Sequence, residues 1–398
     1  MSDTEFYEPK SAPNGWLAVW AIAFCGAVFC TTEFLPVGIL RYISNDLGIS
    51  EGTAGLMMTV PGILAALAGP LVTLGIGKAD RRKILWFLTA LLIIANVMAM
   101  FATSFTMILI GRLLFGIGLG GFWAIGVGIA SRLVPRQSVG RATSVIFTAI
   151  SIGLLVGGPA GSFIGEIFGW RYTFGLAAIL SAIAIVFLFL TLPPLRVSLS
   201  VKVSDFTQIL LTQNGLVGVV AMLLVIIAQF ATYTYITAFL SEQAGFSGTA
   251  ISAMLLAYTL VGMAGNFAGG AASDKNVKAT LLSGIALLQL SIAFMPGLSS
   301  SVTLVTILIG VWGFAYGVIP IALQIWMIKA APNAHEGGTA LYVTNFQTSI
   351  ALGSFLGGVI IDRSGLSWVM YFGAAAAALS FIAILLLAKT DQHTQKRA

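Results

Sequence analysis

Glu33 is the residue of this chain whose type and position most favour chemistry. It is the single carboxylate inside any of the apolar segments, in the segment 16–40. An ionisable group at membrane depth is costly, so it usually faces a bundle interior or a water-filled cavity and has a function. Lost solvation favours the protonated form of a carboxyl group, which makes reversible protonation the chemistry expected here. The alternative is a permanent ion pair that only holds two helices together.

Arg112 is the expected partner of Glu33. It lies in the apolar segment 105–131, at a matching depth if the two segments run in opposite directions. A guanidinium group stays charged at any accessible pH, so it can bias a nearby carboxylate without titrating itself. Their contact is a hypothesis, because sequence gives depth and not rotation. The alternative is a buried arginine satisfied by backbone carbonyl groups.

Neutral polar and aromatic residues are concentrated in the apolar segments of the second half. The candidates for substrate contact there are Gln229, Tyr233, Tyr316, Gln324, Tyr342 and Asn345. Apolar walls with a few placed polar groups are typical of small-molecule sites. The groups are uncharged, which favours a polar, uncharged ligand such as a nucleoside or sugar. The alternative for each residue is an interhelical hydrogen bond, worth about 0.6 kcal/mol in membranes.

Aromatic residues of the first half are weaker candidates. Phe122 and Trp123 are adjacent in the segment 105–131 and could form one wall of a substrate cavity. Aromatic residues in membrane spans more often pack against other helices than bind a ligand. We therefore expect only part of this wall to lie near a substrate.

Twelve apolar segments must position these residues. The chain of 398 residues is 58% hydrophobic and 9% charged, against about 25% charged in soluble domains. About 20 apolar residues cross the hydrocarbon core, and such spans must be helical because lipid offers the backbone no hydrogen-bond partners. The predicted spans are 16–40, 52–76, 84–102, 105–131, 140–165, 171–192, 215–240, 249–273, 278–297, 302–328, 338–361 and 367–388.

Lysine and arginine residues in the loops predict the orientation. The first set lies on the side of both termini: Lys10, Lys78, Arg81, Arg82, Lys83, Arg132, Arg136, Arg141, Arg196, Lys202, Lys275, Lys278, Lys329, Lys389, Lys396 and Arg397. The opposite side has only Arg41, Arg171 and Arg363. Because basic loops stay inside, both termini are predicted to be cytoplasmic. The polar first fifteen residues also lack the basic start and short apolar core of a secretory signal.

The chain repeats itself at an offset of 196 residues. Residues 141–169 align with 337–365 without a gap, and this register matches Gly157 with Gly353 and Glu166 with Asp362. The predicted fold is therefore an all-α membrane protein of twelve transmembrane helices in two pseudo-symmetric six-helix halves. The predicted parts are a tail 1–15, a first half 16–192, a linker 193–214, a second half 215–388 and a tail 389–398. Transporters built from parallel repeats bind substrate near the midplane between the halves.

Other classes of function lack support. The net charge of +6 comes from loops, where it sets orientation, and no basic face suggests a nucleic acid. No GxxxxGK[ST] motif is present, so ATP is not the direct energy source. Two cysteines share one span and both histidines lie in polar segments, so we expect no metal and no cofactor. No nucleophile motif suggests an enzyme.

Several motifs resemble those of the major facilitator superfamily, in order and over essentially the whole chain. Within it, the chain is similar to the twelve-span drug/proton antiporters, and most of all to the bacterial purine-ribonucleoside and sugar efflux pumps. The motifs are TTEFLPV at 31–37, ADRRK at 79–83, GR at 111–112, GGFWA at 120–124, GPAGSFIGE at 158–166 and GWR at 169–171. Two departures stand out. The loop 79–83 lacks a glycine usual in the family, and Leu154 stands where a glycine is usual.

The resemblance implies roles for four further residues. Asp80 and Arg81 would latch the two halves in one state, and transport by rocking needs such a bistable contact. Gly158 and Pro159 would shape the antiporter cavity and limit leakage, with close helix packing as the alternative. The departures from the family pattern bear on these gating roles. The resemblance also implies a multi-pass protein of the bacterial inner membrane, bathed in lipid and functional as a monomer.

The function predicted is efflux of a small polar organic substrate, such as a purine nucleoside or sugar, in exchange for protons. One alternative is a multidrug/proton antiporter for amphipathic drugs. That function usually needs an anionic cavity, and the second half has no carboxylate inside a predicted span. A second alternative is a proton-linked uptake symporter, which differs in the direction of coupled flux.

Overall fold

The computed structural model of the chain describes residues 15–75, 79–126, 129–195, 212–330 and 335–388. Within these ranges every regular element is helical. The tails 1–14 and 389–398 lie outside the described residues, as does most of the predicted linker.

Twelve long helices, numbered α1 to α12, correspond to the twelve predicted spans. Their bounds are Gly15–Leu47 (α1), Leu56–Gly75 (α2), Arg81–Met100 (α3), Phe105–Gly126 (α4), Val139–Ile167 (α5), Trp170–Thr191 (α6), Gln213–Tyr233 (α7), Gly248–Phe294 (α8 and α9), Val302–Ala330 (α10), His335–Ser364 (α11) and Leu366–Leu387 (α12). The non-helical backbone of Asn276 separates α8 from α9. A short helix, Glu51–Ala54, precedes α2.

By length and composition, nine helices in the described ranges are apolar enough to cross a membrane. Gly248–Phe294 counts once among them although it holds two helices, and α5 and α11 complete the twelve. The predicted all-α fold is confirmed.

The helix that carries the first predicted span continues beyond it. The span was predicted to end at residue 40, whereas α1 continues to Leu47. The polar residues after position 40 were interpreted as a loop, but they form a helical extension held by side-chain contacts. Asp46 accepts hydrogen bonds from Arg171 Nη1 at 2.8 Å and from Trp170 Nε1 at 3.2 Å.

Glycines let equivalent helix pairs approach closely in both halves. On α5, a Cβ atom at Gly157 would lie 2.9 Å from the carbonyl oxygen of Thr31 on α1. On α11, a Cβ atom at Gly353 would lie 2.7 Å from the carbonyl oxygen of Ile227 on α7. Small residues commonly allow such packing in lipid. The repeated glycines of the sequence therefore build the same contact twice, between α1 and α5 and between α7 and α11.

The bundle has two ends, which we call the terminal end and the distal end. At the terminal end Asp80 meets Leu195, and Gln213 Nε2 donates to the carbonyl oxygen of Leu387. The distal end holds the Asp46–Arg171 pair. The halves meet along α2 with α11 and along α5 with α8.

Candidate functional site

Glu33 lies on α1 where the two halves meet. Its side chain is 7% exposed, and its Oε1 accepts a 3.1 Å hydrogen bond from Nε2 of Gln347 on α11. Gln347 is 6% exposed, and its own Oε1 is buried with no hydrogen-bond partner among the described residues. A buried carboxylate of one half is thus held by an amide of the other.

Arg112 lies beside this contact and is 2% exposed. Its Nη1 donates to the carbonyl oxygen of Thr32 at 3.1 Å, and its Nε donates to that of Met57 at 2.9 Å. Both Arg112 and Glu33 belong to the described residues, and no ion pair joins them. The guanidinium therefore ties α4 to α1 and α2 one residue from Glu33, close enough to act on the carboxylate through its charge.

An amide and several aromatic rings form a polar cluster inside the second half. Gln229 on α7 accepts a hydrogen bond from Trp312 Nε1 and donates one to Tyr258 Oη, both at 2.7 Å. Tyr233 stacks on Tyr258 with ring centroids 4.9 Å apart, and Tyr316 stacks on the same ring at 6.5 Å. The structure thus brings together three predicted residues, Gln229, Tyr233 and Tyr316, around two that were not singled out.

The remaining candidates of the second half are arranged more loosely. Asn345 Nδ2 donates to the carbonyl oxygen of Val219 at 3.0 Å, and Tyr342 Oη donates to that of Pro320 at 3.2 Å. These are the interhelical bonds given above as the alternative. Gln324 is half-buried on α10, and the Tyr342 ring stacks on Phe346 at 5.9 Å.

The predicted aromatic wall of the first half divides into two parts. Phe122 is fully buried and stacks on Phe29 of α1 at 4.8 Å, so it packs in the core. Trp123 is half-buried and stacks on Phe147 of α5 at 6.4 Å. Of the two predicted residues, Trp123 is the more accessible to a ligand.

Two aromatic rings join the halves next to Glu33. Phe34 of α1 stacks on Phe230 of α7 with centroids 6.0 Å apart and an interplanar angle of 23°. Phe230 in turn packs edge-on against Tyr316. The ring pair connects the carboxylate region to the polar cluster.

Gly158 and Pro159 lie within α5, which is continuous from Val139 to Ile167. A Cβ atom at Gly158 would lie 3.4 Å from Tyr233 Oη of the second half. The proline lacks a backbone donor, and both residues are buried. This stretch of α5 therefore presents its backbone to the polar cluster.

Asp80 and Arg81 lie at the terminal end. Asp80 caps α3 by accepting from the backbone N–H of Arg82 at 3.0 Å, and also from that of Leu195 at 2.9 Å. Burial alone would raise the pKa of Asp80, but these two hydrogen bonds and the Arg82 charge lower it below its ordinary value. Arg82 belongs to the first half and Leu195 to the start of the linker, so neither partner of Asp80 comes from the second half.

At the distal end, each half places a carboxylate against the N-terminus of a helix in the other half. Asp362 at the end of α11 accepts from Ser50 Oγ at 2.7 Å and from the backbone N–H of Gly52 at 3.1 Å. Glu166 at the end of α5 accepts from Thr249 Oγ1 at 3.4 Å. A Cβ atom at Gly52 would collide with Asp362, and one at Gly248 with Glu166. We call these two contacts the distal caps.

Further polar contacts join the halves around the caps. Arg41 lies 3.8 Å from Glu242 and donates to Ser241. Ser252 donates to Ser162 at 2.9 Å, and Thr237 donates to the carbonyl oxygen of Val37 at 3.1 Å. All of these contacts lie between the middle of the bundle and its distal end. The halves are therefore joined distally in this conformation.

Several of these residues have no function predicted from the sequence, although the internal repeat relates them to one another. The offset of 196 residues that paired Glu166 with Asp362 also pairs Gly52 with Gly248. It further pairs Glu33 with Gln229, and Phe34 with Phe230. Tyr258 and Trp312 gave no such signal, because one aromatic residue among many in apolar spans does not stand out.

Twelve membrane helices in two matched halves, with buried polar groups where the halves meet, define a membrane transporter. The family model of the Major Facilitator Superfamily matches residues 22–354 and 220–398. The chain belongs to this superfamily and is a multi-pass membrane transporter, not an enzyme.

Curated relatives and solved structures agree with this assignment. The "Purine ribonucleoside efflux pump NepI" of Salmonella paratyphi B and that of Salmonella typhimurium are each 34% identical to this chain over 354 residues, 89% of either length. An inward-facing bacterial homologue of the human lysosomal transporter Spinster has a TM-score of 0.78 at 17% identity, covering 95% of this chain and 98% of that one. The D-xylose–proton symporter has a TM-score of 0.74 at 17% identity, covering 94% and 98%. The two structures establish likeness of fold.

Proposed function

We propose that this transporter exports a purine nucleoside in exchange for protons across the bacterial inner membrane. The observation that carries the proposal is Glu33. It is a buried carboxylate at the interface of the halves, and the stacked rings of Phe34 and Phe230 connect its surroundings to a neutral polar cluster. A protonatable group and a binding surface that share one interface can exchange one cargo for the other.

The substrate class is supported by the chemistry of the polar cluster. Aromatic side chains stack on nucleobases regardless of sequence, because every base has a π face. Tyr233, Tyr258 and Tyr316 supply such faces, with the hydroxyl groups needed to orient a ribose or a base edge. In the described part of the second half the carboxylates Glu242, Asp274, Glu336 and Asp362 lie at or near helix ends. The relatives named as purine ribonucleoside pumps support the same class.

Proton coupling is proposed through Glu33 and tuned by Arg112. In the cycle, Glu33 takes up a proton from the distal side, the halves rock, and the proton leaves on the terminal side. The ionised carrier then binds the nucleoside and returns. Arg112 is bound to the backbone of α1 and α2 beside Glu33, so it fixes the position of the carboxylate that takes up and releases the proton.

The orientation proposed follows from the basic loops. They favour a cytoplasmic position for the terminal end and both termini, with the distal end facing outward. The contacts described above join the halves distally, which supports assigning this conformation to the state that takes up substrate from the cytoplasm. The protein needs only surrounding lipid and acts as a monomer, because both halves of the site come from one chain.

Gating roles are proposed for Asp80 and Arg81 at the terminal end and for Gly158 and Pro159 within α5. Arg81 Nη1 is buried without a hydrogen-bond partner among the described residues, so Arg81 is available to contact the second half when the terminal end closes. Asp80 would hold the start of the same helix in place through its hydrogen bonds to the Arg82 and Leu195 backbone. Gly158 and Pro159 keep α5 close to Tyr233 without an intervening side chain. A larger residue at Gly158 would therefore press on the polar cluster.

The test uses inside-out proteoliposomes with an acidic lumen. Purine nucleosides, sugars and cationic drugs are added outside, and proton release and substrate accumulation are followed together. We expect a purine nucleoside to release protons and to accumulate. Glu33→Gln should abolish gradient-driven accumulation while keeping exchange of labelled for unlabelled nucleoside. Asp274→Asn, which neutralises an exposed carboxylate, is the matched control and should behave as wild type.

Four outcomes would contradict the proposal. A response to cationic drugs alone would indicate a multidrug antiporter, and a response to sugars alone would indicate a sugar transporter. Movement of nucleoside and proton in the same direction would indicate a symporter. Full coupling in Glu33→Gln would place the proton site elsewhere.

A further inference from the structure

Gln347 has an incomplete set of hydrogen bonds. Its Nε2 donates to Glu33 across the interface, while its Oε1 is buried without a described partner. Burying an unpaired carbonyl group costs about 1–3 kcal/mol. An amide kept in this arrangement must gain from the contact it makes, and that contact is with the proposed proton site.

The strength of this contact depends on the charge of Glu33. A hydrogen bond to an ionised carboxylate is roughly twice as strong as one between neutral groups. When Glu33 is ionised, the amide N–H is bound to a charge and joins α1 to α11. Protonation neutralises the acceptor and weakens the bond, so the halves separate more readily.

Other groups that face Glu33 do not replace this bond. Arg112 on α4 and Tyr316 on α10 lie within electrostatic range of the carboxylate, as does Cys30 on α1. Arg112 belongs to the same half as Glu33 and is bound to backbone carbonyl groups. Gln347 is the residue whose direct hydrogen bond links the carboxylate to the second half.

We infer that Gln347 is a positioning residue that prevents the empty, ionised carrier from returning outward. The inference rests on the proposed role of Glu33. An exporter leaks protons if it releases its proton inside and then reorients empty. The Gln347–Glu33 bond holds the distal end closed in that state. A bound nucleoside releases it by competing for the amide, and a proton on Glu33 releases it by removing the charge.

The test is proton leak without any substrate. Proteoliposomes carry a pH gradient and a lumenal pH dye, with potassium and valinomycin to compensate charge. Gln347→Met keeps an unbranched side chain of similar volume and removes the amide. We expect it to collapse the gradient about ten-fold faster than wild type, the change expected from one lost charged hydrogen bond.

Two further variants separate this role from simple damage. The double variant Glu33→Gln/Gln347→Met should return to the wild-type rate, because the leak needs a proton carrier, whereas a leak through a disordered bundle would persist. Ser349→Ala is the matched control, because Ser349 is buried on the same helix and bonds only the carbonyl oxygen of Asn345 in the described contacts. It should stay at the wild-type rate.

The inference is overturned if Gln347→Met remains as tight as wild type, or if the leak survives in the double variant. Nucleoside-driven proton release by the wild type is measured in the same vesicles. If it is present while Gln347→Met stays tight, only the role of Gln347 fails. If it is absent, the proposed antiport fails and this inference fails with it.

Discussion

The two halves share a scaffold but differ in the chemistry they place on it. At one repeat position the first half has Glu33 and the second has Gln229, an acid and its own amide. Glu33 makes its hydrogen bond across the interface to Gln347. Gln229 makes its bonds inside its own half, to Tyr258 and Trp312. The same place in the fold thus holds the carboxylate proposed to carry the proton in one half and the amide that organises the polar cluster in the other.

This difference shows how two repeats can keep one backbone arrangement while equivalent positions take different roles. The glycine contacts between α1 and α5 recur between α7 and α11, so the backbone frame was kept. Changing one oxygen to nitrogen at a repeated position changes which group titrates but hardly changes side-chain volume. Coupling and recognition can then vary separately.

The largest effect on nucleoside transport is expected from Gln229→Leu, which tests whether Gln229 differs in role from Glu33. It leaves the Trp312 N–H without its acceptor and the Tyr258 hydroxyl without its donor, at about 1–3 kcal/mol for each buried group. We expect the KM for nucleoside exchange to rise about ten-fold, with the number of protons per nucleoside unchanged. The reverse result, loss of coupling at constant KM, would assign Gln229 to the proton path.

The control for that experiment lies one turn away. Thr232→Val removes a hydroxyl that bonds only the carbonyl oxygens of its own helix in the described contacts. Exchange and coupling should both stay at wild-type levels.

An intermediate effect is expected from the distal caps, where the halves do correspond. Asp362→Asn removes a charge from a helix N-terminus, where it is worth about 0.3–1 kcal/mol. We expect the distal end to open several-fold more often. The measurement is labelling of Ala54→Cys, fully buried in this conformation, by a membrane-impermeant maleimide in a background without Cys25 and Cys30.

Glu166→Gln sharpens the comparison between the two caps. The hydrogen bond of Glu166 to Thr249 is longer, at 3.4 Å, than those of Asp362, at 2.7 and 3.1 Å. Glu166→Gln should therefore increase the labelling of Ala54→Cys by a smaller factor than Asp362→Asn. A larger factor than that of Asp362→Asn would contradict the ranking of the two caps.

The smallest effect is expected at the terminal end, from Asp80→Asn. This change keeps an acceptor at the cap and removes its charge, so it should lower the free energy of unfolding in detergent by about 0.3–1 kcal/mol at neutral pH. Because the folded protein lowers the pKa of Asp80, its contribution is complete above the ordinary value of 3.8 and is lost as the pH falls through the lowered one. The wild-type and variant melting curves should therefore converge in acid. A gap that persists there would mean that the carboxylate charge is not what stabilises this contact.

The fold could be predicted from the sequence because lipid restricts the backbone to helices, and the repeat divides them into two halves. The site was only partly predictable. The depth of Glu33 follows from its position in the span, but its partner does not, because Gln347 is one of several polar residues on α11 and helix rotation is set by packing. The role of Asp362 depends on a helix N-terminus 310 positions away in the chain, which no local pattern indicates.

The stacked rings of Phe34 and Phe230 have a mechanical consequence. They occupy equivalent positions of the repeat and touch each other, and two equivalent points in contact must lie beside the two-fold axis that relates them. With their centroids 6.0 Å apart, each ring lies about half that distance from the axis. Phe34 also lies near the middle of α1, and rocking of the halves about that depth would move this pair least, so it can remain in contact in both orientations. Two apolar side chains that stay in contact at this depth would keep water from crossing the interface while the halves rock.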